Sequence, residues 1–352
     1  MNINKHRRAR ALAVVSFPLA VALLAGCSTS ASGPATTETL TFATFGGAYE
    51  NAQRKAWIDE FTSSTGIEVL TDSADYGKLK TMVEAGDVSW DVVDVQGDYG
   101  LESQSALLEP IDCKVVTTCD TPAPGLKNTT WRVAENTSAM LFGYNTQVTS
   151  RTPNGWKDFF DTTTFPGKRG FPSWISGGAL EAALLADGVA PESLYPLDVD
   201  RALRKLDTIK KDIIWWETGT QSEDLLSSGE TVFSMLFSPR VYNLAEVSKK
   251  PVAAQWNEVI TFGNYLVVPK GTKHKDAAMK LIAWMADKER NAKLGSVYPQ
   301  GPGTAGATAE VPSAIKAWLP TEHLESSVAV NDGYWDKEFN SVNSKFQAWK
   351  LK

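Results

Sequence analysis

The chain has 352 residues, which at roughly 150 residues per domain amounts to about two domains. Its content of 43% hydrophobic and 22% charged residues is that of an ordinary globular protein and excludes a disordered, collagen-like or coiled-coil chain. With 35 basic against 41 acidic residues it lacks the basic face that nucleic acid requires, and three Cys and three His are too few for a multi-ligand zinc site.

Lys5, Arg7, Arg8 and Arg10 form a basic start, and Ala11 to Ala25 is uncharged and mostly apolar. At about 15 residues this run is shorter than the roughly 20 of a membrane span and fits a secretory signal. It ends in Leu24-Ala25-Gly26-Cys27, which resembles the bacterial lipobox, where the Cys is lipidated and becomes the first residue. An ordinary signal peptide with a chance Cys is the alternative. Removal of residues 1–26 takes the basic count from 35 to 31 against 41 acidic residues, a net charge of −10. Residues 27–39 are rich in Ser, Thr, Ala, Gly and Pro and read as a lipid-anchored flexible tether. Export places Cys113 and Cys119 in an oxidising compartment, where a short-loop disulfide is expected. His274 and His323 are remote from that pair in sequence, so no metal site is expected.

From residue 40 onward the pattern is α/β. Leu40 to Thr44 alternates as a strand; Ala52, Ala56, Trp57 and Phe61 mark a helical face closed by Gly66. Ile67 to Leu70 is a second strand, Leu79, Met82 and Val83 a second helix, and Trp90 to Val95 a third strand; Gly97 then interrupts, and a helix is expected to run from there on to Leu108. This β-α-β-α-β-α order implies parallel strands flanked by helices. An extended region from Trp131 to Tyr144 leads to a second α/β stretch. Its helices are expected at 156–160, 179–185 and 202–209, and its strands at Ile213 to Trp216, Thr231 to Phe237 and Tyr265 to Val268. Helices follow from Lys275 onward, the last at Trp335 to Trp349. Gly46-Gly47, Gly97-Asp98, Gly177-Gly178 and Ser238-Pro239 each precede a predicted helix. Ligands bind beyond the carboxyl ends of strands in open α/β sheets, although Gly and Ser also simply make such turns.

Four stretches carry a family resemblance: Thr44-Phe45-Gly46-Gly47-Ala48-Tyr49 through Phe61 to Val69; Trp90-Asp91-Val92-Val93-Asp94; Phe165-Pro166-Gly167-Lys168-Arg169-Gly170; and Leu225 to Glu230 through Arg240 with Val267-Val268-Pro269-Lys270-Gly271. In this order they resemble the solute-binding proteins of ABC importers, in the group of spermidine/putrescine-binding proteins. The resemblance implies a two-lobed periplasmic-binding fold of type II, each lobe a mainly parallel sheet flanked by helices. It implies two crossover strands near residues 137–145 and 259–266, and closure on the ligand by hinge bending. Lobe 1 is then 40–138 plus 265–310, lobe 2 is 139–264, and 311–352 are C-terminal helices packing on the lobes. The implied function is capture of a small amino compound, polyamine-like or amino-acid-like, for delivery to an ABC permease with its ATPase. The protein is expected as an exported monomer held by lipid at the outer face of the cytoplasmic membrane. The alternatives are a structural or signalling lipoprotein with a degenerate site, or a lipid-anchored hydrolase.

Candidate ligand contacts lie at the strand-to-helix turns: Phe45, Gly46 and Gly47; Gln96, Asp98 and Tyr99; Trp174, Ser176 and Gly177; and Thr220 and Gln221. Core packing for Phe45 and a helix N-cap for Asp98 are the structural alternatives. Arg240 is the preferred charged contact. It sits in a helix's first turn, where the dipole disfavours a cation, so it needs a carboxylate partner from the ligand or from the protein, such as Glu230. Polyamine binders of this type carry an acidic residue near the second crossover, where this chain has Phe262-Gly263-Asn264-Tyr265. An amide there does not suit a polycation. A zwitterion with its carboxylate on Arg240 and its amine near Asp98 and the aromatics is the better expectation, with Asn264, Tyr265 and Tyr298 as further contacts. No catalytic motif is present, and no cofactor is expected. Gly301-Pro302-Gly303-Thr304-Ala305-Gly306 matches a dinucleotide fingerprint in spacing alone and reads as a loop near the cleft.

Overall fold

The computed structural model describes residues 38–149 and 151–352. The expected signal segment, Cys27 and nearly all of the tether lie outside them. No helix among the described residues is long and apolar enough to cross a membrane.

Strand β1 (Thr39–Thr44) enters helix α1 (Gly47–Gln53), which continues through a wider turn at Arg54–Ile58 into α2 (Asp59–Thr65). Gly66, in the left-handed region at φ 75°, stops that run. After β2 (Glu68–Ser73), Asp75 caps α3 (Tyr76–Ala85) by accepting from the Lys78 N–H at 2.6 Å, and β3 (Val92–Gln96) follows. β4 (Val133–Asn145) crosses to α4 (Trp156–Phe160), β5 (Lys168–Pro172), α5 (Ala179–Ala186), α6 (Val199–Asp207) and β6 (Ile213–Trp216). A capping box of Thr218 and Gln221 opens α7 (Gly219–Ser227), which leads to β7 (Thr231–Phe237) and α8 (Ser238–Tyr242). β8 (Val252–Val267) crosses back to α9 (Lys275–Ala286), α10 (Lys288–Val297) and β9 (Gly301–Pro302). The chain closes with α11 (Ser313–Lys316), β10 (Ser327–Ala329) and α12 (Asp332–Lys350).

The main path of the sheet runs β2-β1-β3-β8-β4-β7-β5-β6. Two parallel triplets, β2-β1-β3 and β7-β5-β6, therefore flank the antiparallel pair β8-β4. β3 pairs with the end of β8, from Asn264 to Val267, whereas β7 pairs with the end of β4, from Met140 to Tyr144. The two long strands thus pass from one triplet to the other, as the expected crossovers require.

β8 is far longer than the expected Tyr265 to Val268. Its first half carries Gln255, Asn257 and Glu258, which break the apolar pattern, and Glu258 is kinked at φ 59°. The expected helix after Gly97 is only a short turn at Glu102–Leu107, because Ser103, Gln104 and Ser105 give it no apolar face. The Gly301 to Gly306 loop serves packing. A Cβ on Gly303 would lie 2.5 Å from the Glu135 carbonyl carbon, so glycine lets this chain lie against β4.

Cys113 and Cys119 form a disulfide with Cα atoms 5.7 Å apart. The aromatic excess is mostly core: Trp57, Trp90, Trp156, Trp216 and Trp335 are fully buried. Of the adjacent pair on β6, Trp216 points inward and donates to the Met235 carbonyl at 3.0 Å, while Trp215 packs on Phe346 and Trp349 of α12. α12 also reaches the other triplet through Asp332, which pairs with Arg132 at 2.7 Å.

Phe159 on α4 is completely buried against Phe142, Trp156, Phe160, Phe171 and Phe233. Phe159→Ala is expected to lower unfolding free energy by about 3–5 kcal/mol in urea titration followed by tryptophan fluorescence. A loss under about 1 kcal/mol would contradict this packing.

Candidate functional site

A cavity of about 690 Å³ opens where the two triplets meet. Its walls come from four sets of residues. The β1–α1 turn and the start of α3 supply Phe45 to Tyr49 and Ala74 to Tyr76. The β4–β8 pair and the end of β3 supply Ser138, Phe262, Asn264 and Gln96. The far triplet supplies Trp174, Glu217 to Thr220, Phe237 and Arg240. The segment after α10 supplies Tyr298 and Gln300.

Nine of the expected contacts line it: Phe45, Gly46, Gly47, Gln96, Trp174, Thr220, Arg240, Asn264 and Tyr298. Phe45 is 43% exposed, an unusual state for a phenylalanine at a core edge. Gly46 and Gly47 adopt φ of 74° and 63°, so their conformation alone calls for glycine. Trp174 stands edge-on to Trp216 with centroids 4.9 Å apart.

Arg240 finds a protein carboxylate, but it is Glu223 rather than Glu230. Nη1 donates to Oε1 at 3.0 Å, and Asn243 donates to the other oxygen at 3.3 Å. Although burial pulls the arginine pKa down, Tyr298 and Glu223 raise it, so Arg240 stays a cation. Its Nε is buried without a partner. The guanidinium lies over Gly219, where a Cβ would come within 2.5 Å of it; Gly219 leaves room for this placement.

The polar floor is built from buried amides. Asn136 and Asn264 both donate to the Tyr49 hydroxyl, at 2.6 and 3.3 Å. Gln300 donates to Ser138 at 2.6 Å, and Ser138 donates to Asn136 at 3.2 Å. Asn264 Oδ1 and Gln300 Oε1 are buried acceptors without a donor. Behind Tyr49, Gln53 donates to Asp94 at 3.1 Å and to Glu135 at 2.6 Å. These two carboxyls are fully buried and share the Gln53 amide as donor, and burial pushes both pKa values up; Glu135 adds to the rise of Asp94.

Six expected contacts lie outside the cavity. Tyr265 alternates with Asn264 on β8 and so faces the opposite way, its ring 3.6 Å beneath the Arg132 guanidinium. Tyr99 is buried against the Tyr76 ring, with centroids 4.6 Å apart. Gln221 is consumed by capping, accepting from the Glu217 and Thr218 N–H groups. Gly177 packs tightly on Pro172 and Trp174. Asp98 and Ser176 line a small separate void of about 20 Å³ beside Asp332 and Trp335 of α12. Burial pushes the Asp98 carboxyl up to about 6, with the Asp332 and Asp336 charges adding to the rise. Glu181, the acid nearest the Gly177-Gly178 turn, is turned toward Tyr195 and Trp335, which donate to it at 2.7 and 2.9 Å. Sequence reasoning missed Tyr49, Asp75, Tyr76, Ser138, Phe262 and Gln300. Of these, Tyr49 stood beside the recognised Gly46-Gly47 turn.

The family model for bacterial extracellular solute-binding proteins matches residues 56–321. A gamma-aminobutyric acid-binding protein of Pseudomonas aeruginosa is 33% identical over 339 residues, covering 93% of this chain and 95% of that protein. Among solved structures, a GABA receptor is 41% identical with a TM-score of 0.84, over 90% of this chain and 98% of the other. An ABC transporter substrate-binding protein from Bradyrhizobium japonicum is 30% identical with a TM-score of 0.82, over 89% and 99%. The chain belongs to the bacterial extracellular solute-binding proteins and has the two-lobed periplasmic-binding fold. The family and these neighbours are solute-binding transport proteins rather than enzymes.

The position of Asp98 generates a pH prediction. Its native pKa lies above the ordinary carboxylate value of about 4, so its favourable contribution is complete below that pH and is lost as pH rises through about 6. Asp98→Asn removes this loss. In urea melts the variant is expected to exceed the wild type by up to about 3 kcal/mol at pH 8, with the advantage vanishing toward pH 4. Its affinity for a cleft ligand should stay within about threefold of wild type. A pH-independent difference would contradict the assignment.

Proposed function

We propose that this protein captures a short amino acid whose amine and carboxylate sit at opposite ends, of the gamma-aminobutyric acid type, and delivers it to an ABC permease. The observation that carries this reading is one cavity lined by a cationic arginine, the amides of Asn264 and Gln300 and several aromatic rings. Arg240 is held by Glu223 and keeps 17% of its side chain exposed, which leaves room for a ligand carboxylate. Asn264 and Gln300 give the amine end neutral amides, replacing the expected role of Asp98. Phe45, Tyr49, Tyr76 and Trp174 supply aromatic walls, worth about 0.5–2 kcal/mol to a cation over a ring face. The ligands named for the Pseudomonas aeruginosa protein and for the GABA receptor support the same class.

The cavity argues against a polyamine. A di- or trication needs desolvated carboxylates, and the acids lining this cavity, Asp75 and Glu217, are both exposed, with Asp75 spent on capping α3. Closure is a hinge motion about β4 and β8. The division into residues 40–138 plus 265–310 against 139–264 is supported by the change of strand partners near Ser138 and Asn264. Export with removal of residues 1–26, and anchoring through Cys27, complete the proposal; the lipobox-like Leu24-Ala25-Gly26-Cys27 supports it.

Calorimetry with 4-aminobutanoate, glutamate, putrescine and spermidine tests the reading. We expect 4-aminobutanoate to bind and spermidine not to bind. Arg240→Lys keeps a charge beside Glu223 but loses the planar fork, and is expected to weaken 4-aminobutanoate at least about tenfold. Affinity within threefold of wild type would remove Arg240 from the site.

A further inference from the structure

Arg240 and Tyr298 form a wall with two sides. On one side is the cavity described above; on the other is a second crevice, of about 300 Å³, between the same two halves. The half built on β2-β1-β3 lines this crevice with Asn51 of α1, Lys55 of the wider turn that follows, and Val297 at the end of α10. The half built on β7-β5-β6 lines it with Glu223 of α7 and with Asn243 and Val247 just after α8. Resting on the reading above, we propose that this crevice is a latch. Closure brings Lys55 across it onto Glu223, and a ligand carboxylate on Arg240 makes that approach favourable. Lys55 is then a positioning residue for ligand capture.

The charged residues of the crevice are Lys55, Glu223 and Arg240. Arg240 and Glu223 are partly buried and paired at 3.0 Å. Lys55 is exposed and has no hydrogen bond or ion pair among the described residues. Its neighbour Arg54 is paired with Glu50 at 3.5 Å, whereas Lys55 and Asn51, four residues apart, share the face turned to the crevice.

The balance of charge links this side of the wall to the other. With the cleft empty, closure gathers two cations, Lys55 and Arg240, around the one carboxylate of Glu223. One positive charge is left over in a space that is losing its water, which is costly. A ligand carboxylate on the cavity side of Arg240 removes that excess, so that two cations meet two carboxylates. Lys55 helps the ligand in return. Glu223 and the ligand carboxylate are like charges beside one guanidinium, and a second cation offsets their repulsion. Ligand and latch therefore favour each other, as reciprocal coupling requires. The apolar part of the seam points the same way. Val247 is 63% exposed and Val297 37%, and they line the crevice from opposite halves, where narrowing takes both out of water.

Calorimetry with 4-aminobutanoate on Lys55 variants tests the latch. Lys55→Met keeps the length and loses the charge, and is expected to weaken binding at least about threefold. Lys55→Glu sets two acids face to face and should weaken it at least about tenfold. Lys55→Arg keeps the charge and should stay within about twofold of wild type. Thermal melts without ligand should match wild type in all three, because Lys55 has no partner before closure. In a Glu223→Gln background, Lys55→Met should change affinity less than about 1.5-fold, since its partner charge is gone. Equal weakening by Met, Arg and Glu indicates packing alone and overturns the latch. So does a Lys55→Met effect that persists at full size beside Glu223→Gln. Wild-type affinity in all three Lys55 variants also overturns it, and if Arg240→Lys still weakens 4-aminobutanoate in that case, the zwitterion reading stands without the latch. A wild type that does not bind 4-aminobutanoate overturns both.

Discussion

The antiparallel pairing of β4 with β8 is the constraint on which the rest of the molecule depends. β4 runs at Val133–Asn145 and pairs along nearly its whole length with β8 at Val252–Val267, and each parallel triplet attaches to a different end of the pair. Whatever lies at the middle of these strands therefore lies between the two halves. The pair is bulged between Ala134 and Asn136 and between Met140 and Phe142. Between the bulges the register sets Asn136 opposite Asn264, Thr137 opposite Gly263 and Ser138 opposite Phe262. Apart from Asn145 at its end, β4 is otherwise apolar; here it buries Glu135, Asn136, Thr137 and Ser138 in succession. Burying polar groups is costly unless they are bonded, and most of this row is bonded to itself, to Tyr49 and to the segment after α10. The unsatisfied remainder of the row is Glu135 Oε2 and Thr137 Oγ1.

The geometry of α12 follows from the same constraint. Because the two triplets touch mainly through one strand pair, a second tie has mechanical weight. α12 supplies it from the far side, with Trp335, Phe346 and Trp349 buried against the β5–β6 side and Asp332 paired to Arg132 beside β3. Arg132 is itself buried, bonded to the Gly97 and Tyr99 carbonyls and laid over Tyr265. This cluster occupies Asp98 and Tyr265, two residues that the turn pattern had suggested for the ligand. A carboxylate beside a strand end is as readily a structural acid as a binding one, and only the position of a helix more than 200 residues later decides which.

Much of the fold was legible, for identifiable reasons. The apolar alternation of β1, the helical faces of α1 to α3 and the stop at Gly66 are local signals, and the structure follows them. The first half of β8 was not, because Gln255, Asn257 and Glu258 break the alternation where the strand is half exposed and kinked. In the cavity, turn chemistry exposed Phe45, Gly46, Gly47, Thr220 and Arg240, since glycine turns and a helix-start cation are visible in a short window. Alternation was available but unused at Asn264-Tyr265, where only one of two neighbours can face the cleft. Ser138 and Gln300 carried no local signal: 162 residues separate them, and their roles exist only as partners in one hydrogen-bond chain.

The amide at position 264 departs from what the polyamine-binding resemblance led one to expect, and its surroundings give that departure a physical sense. A carboxylate there would stand beside Tyr49, one hydroxyl away from Asp94 and Glu135, three acids sharing one dry pocket. Like charges so placed force protonation or strain, and the existing pair already sits with pKa values raised by burial, that of Asp94 also by the Glu135 charge. An amide avoids a third charge yet still offers an oxygen. A monocation is served by such a site, whereas a polycation would leave its further charges unpaired. A neutral acceptor also holds an ammonium less tightly than a buried carboxylate would, which suits a protein that must release what it captures.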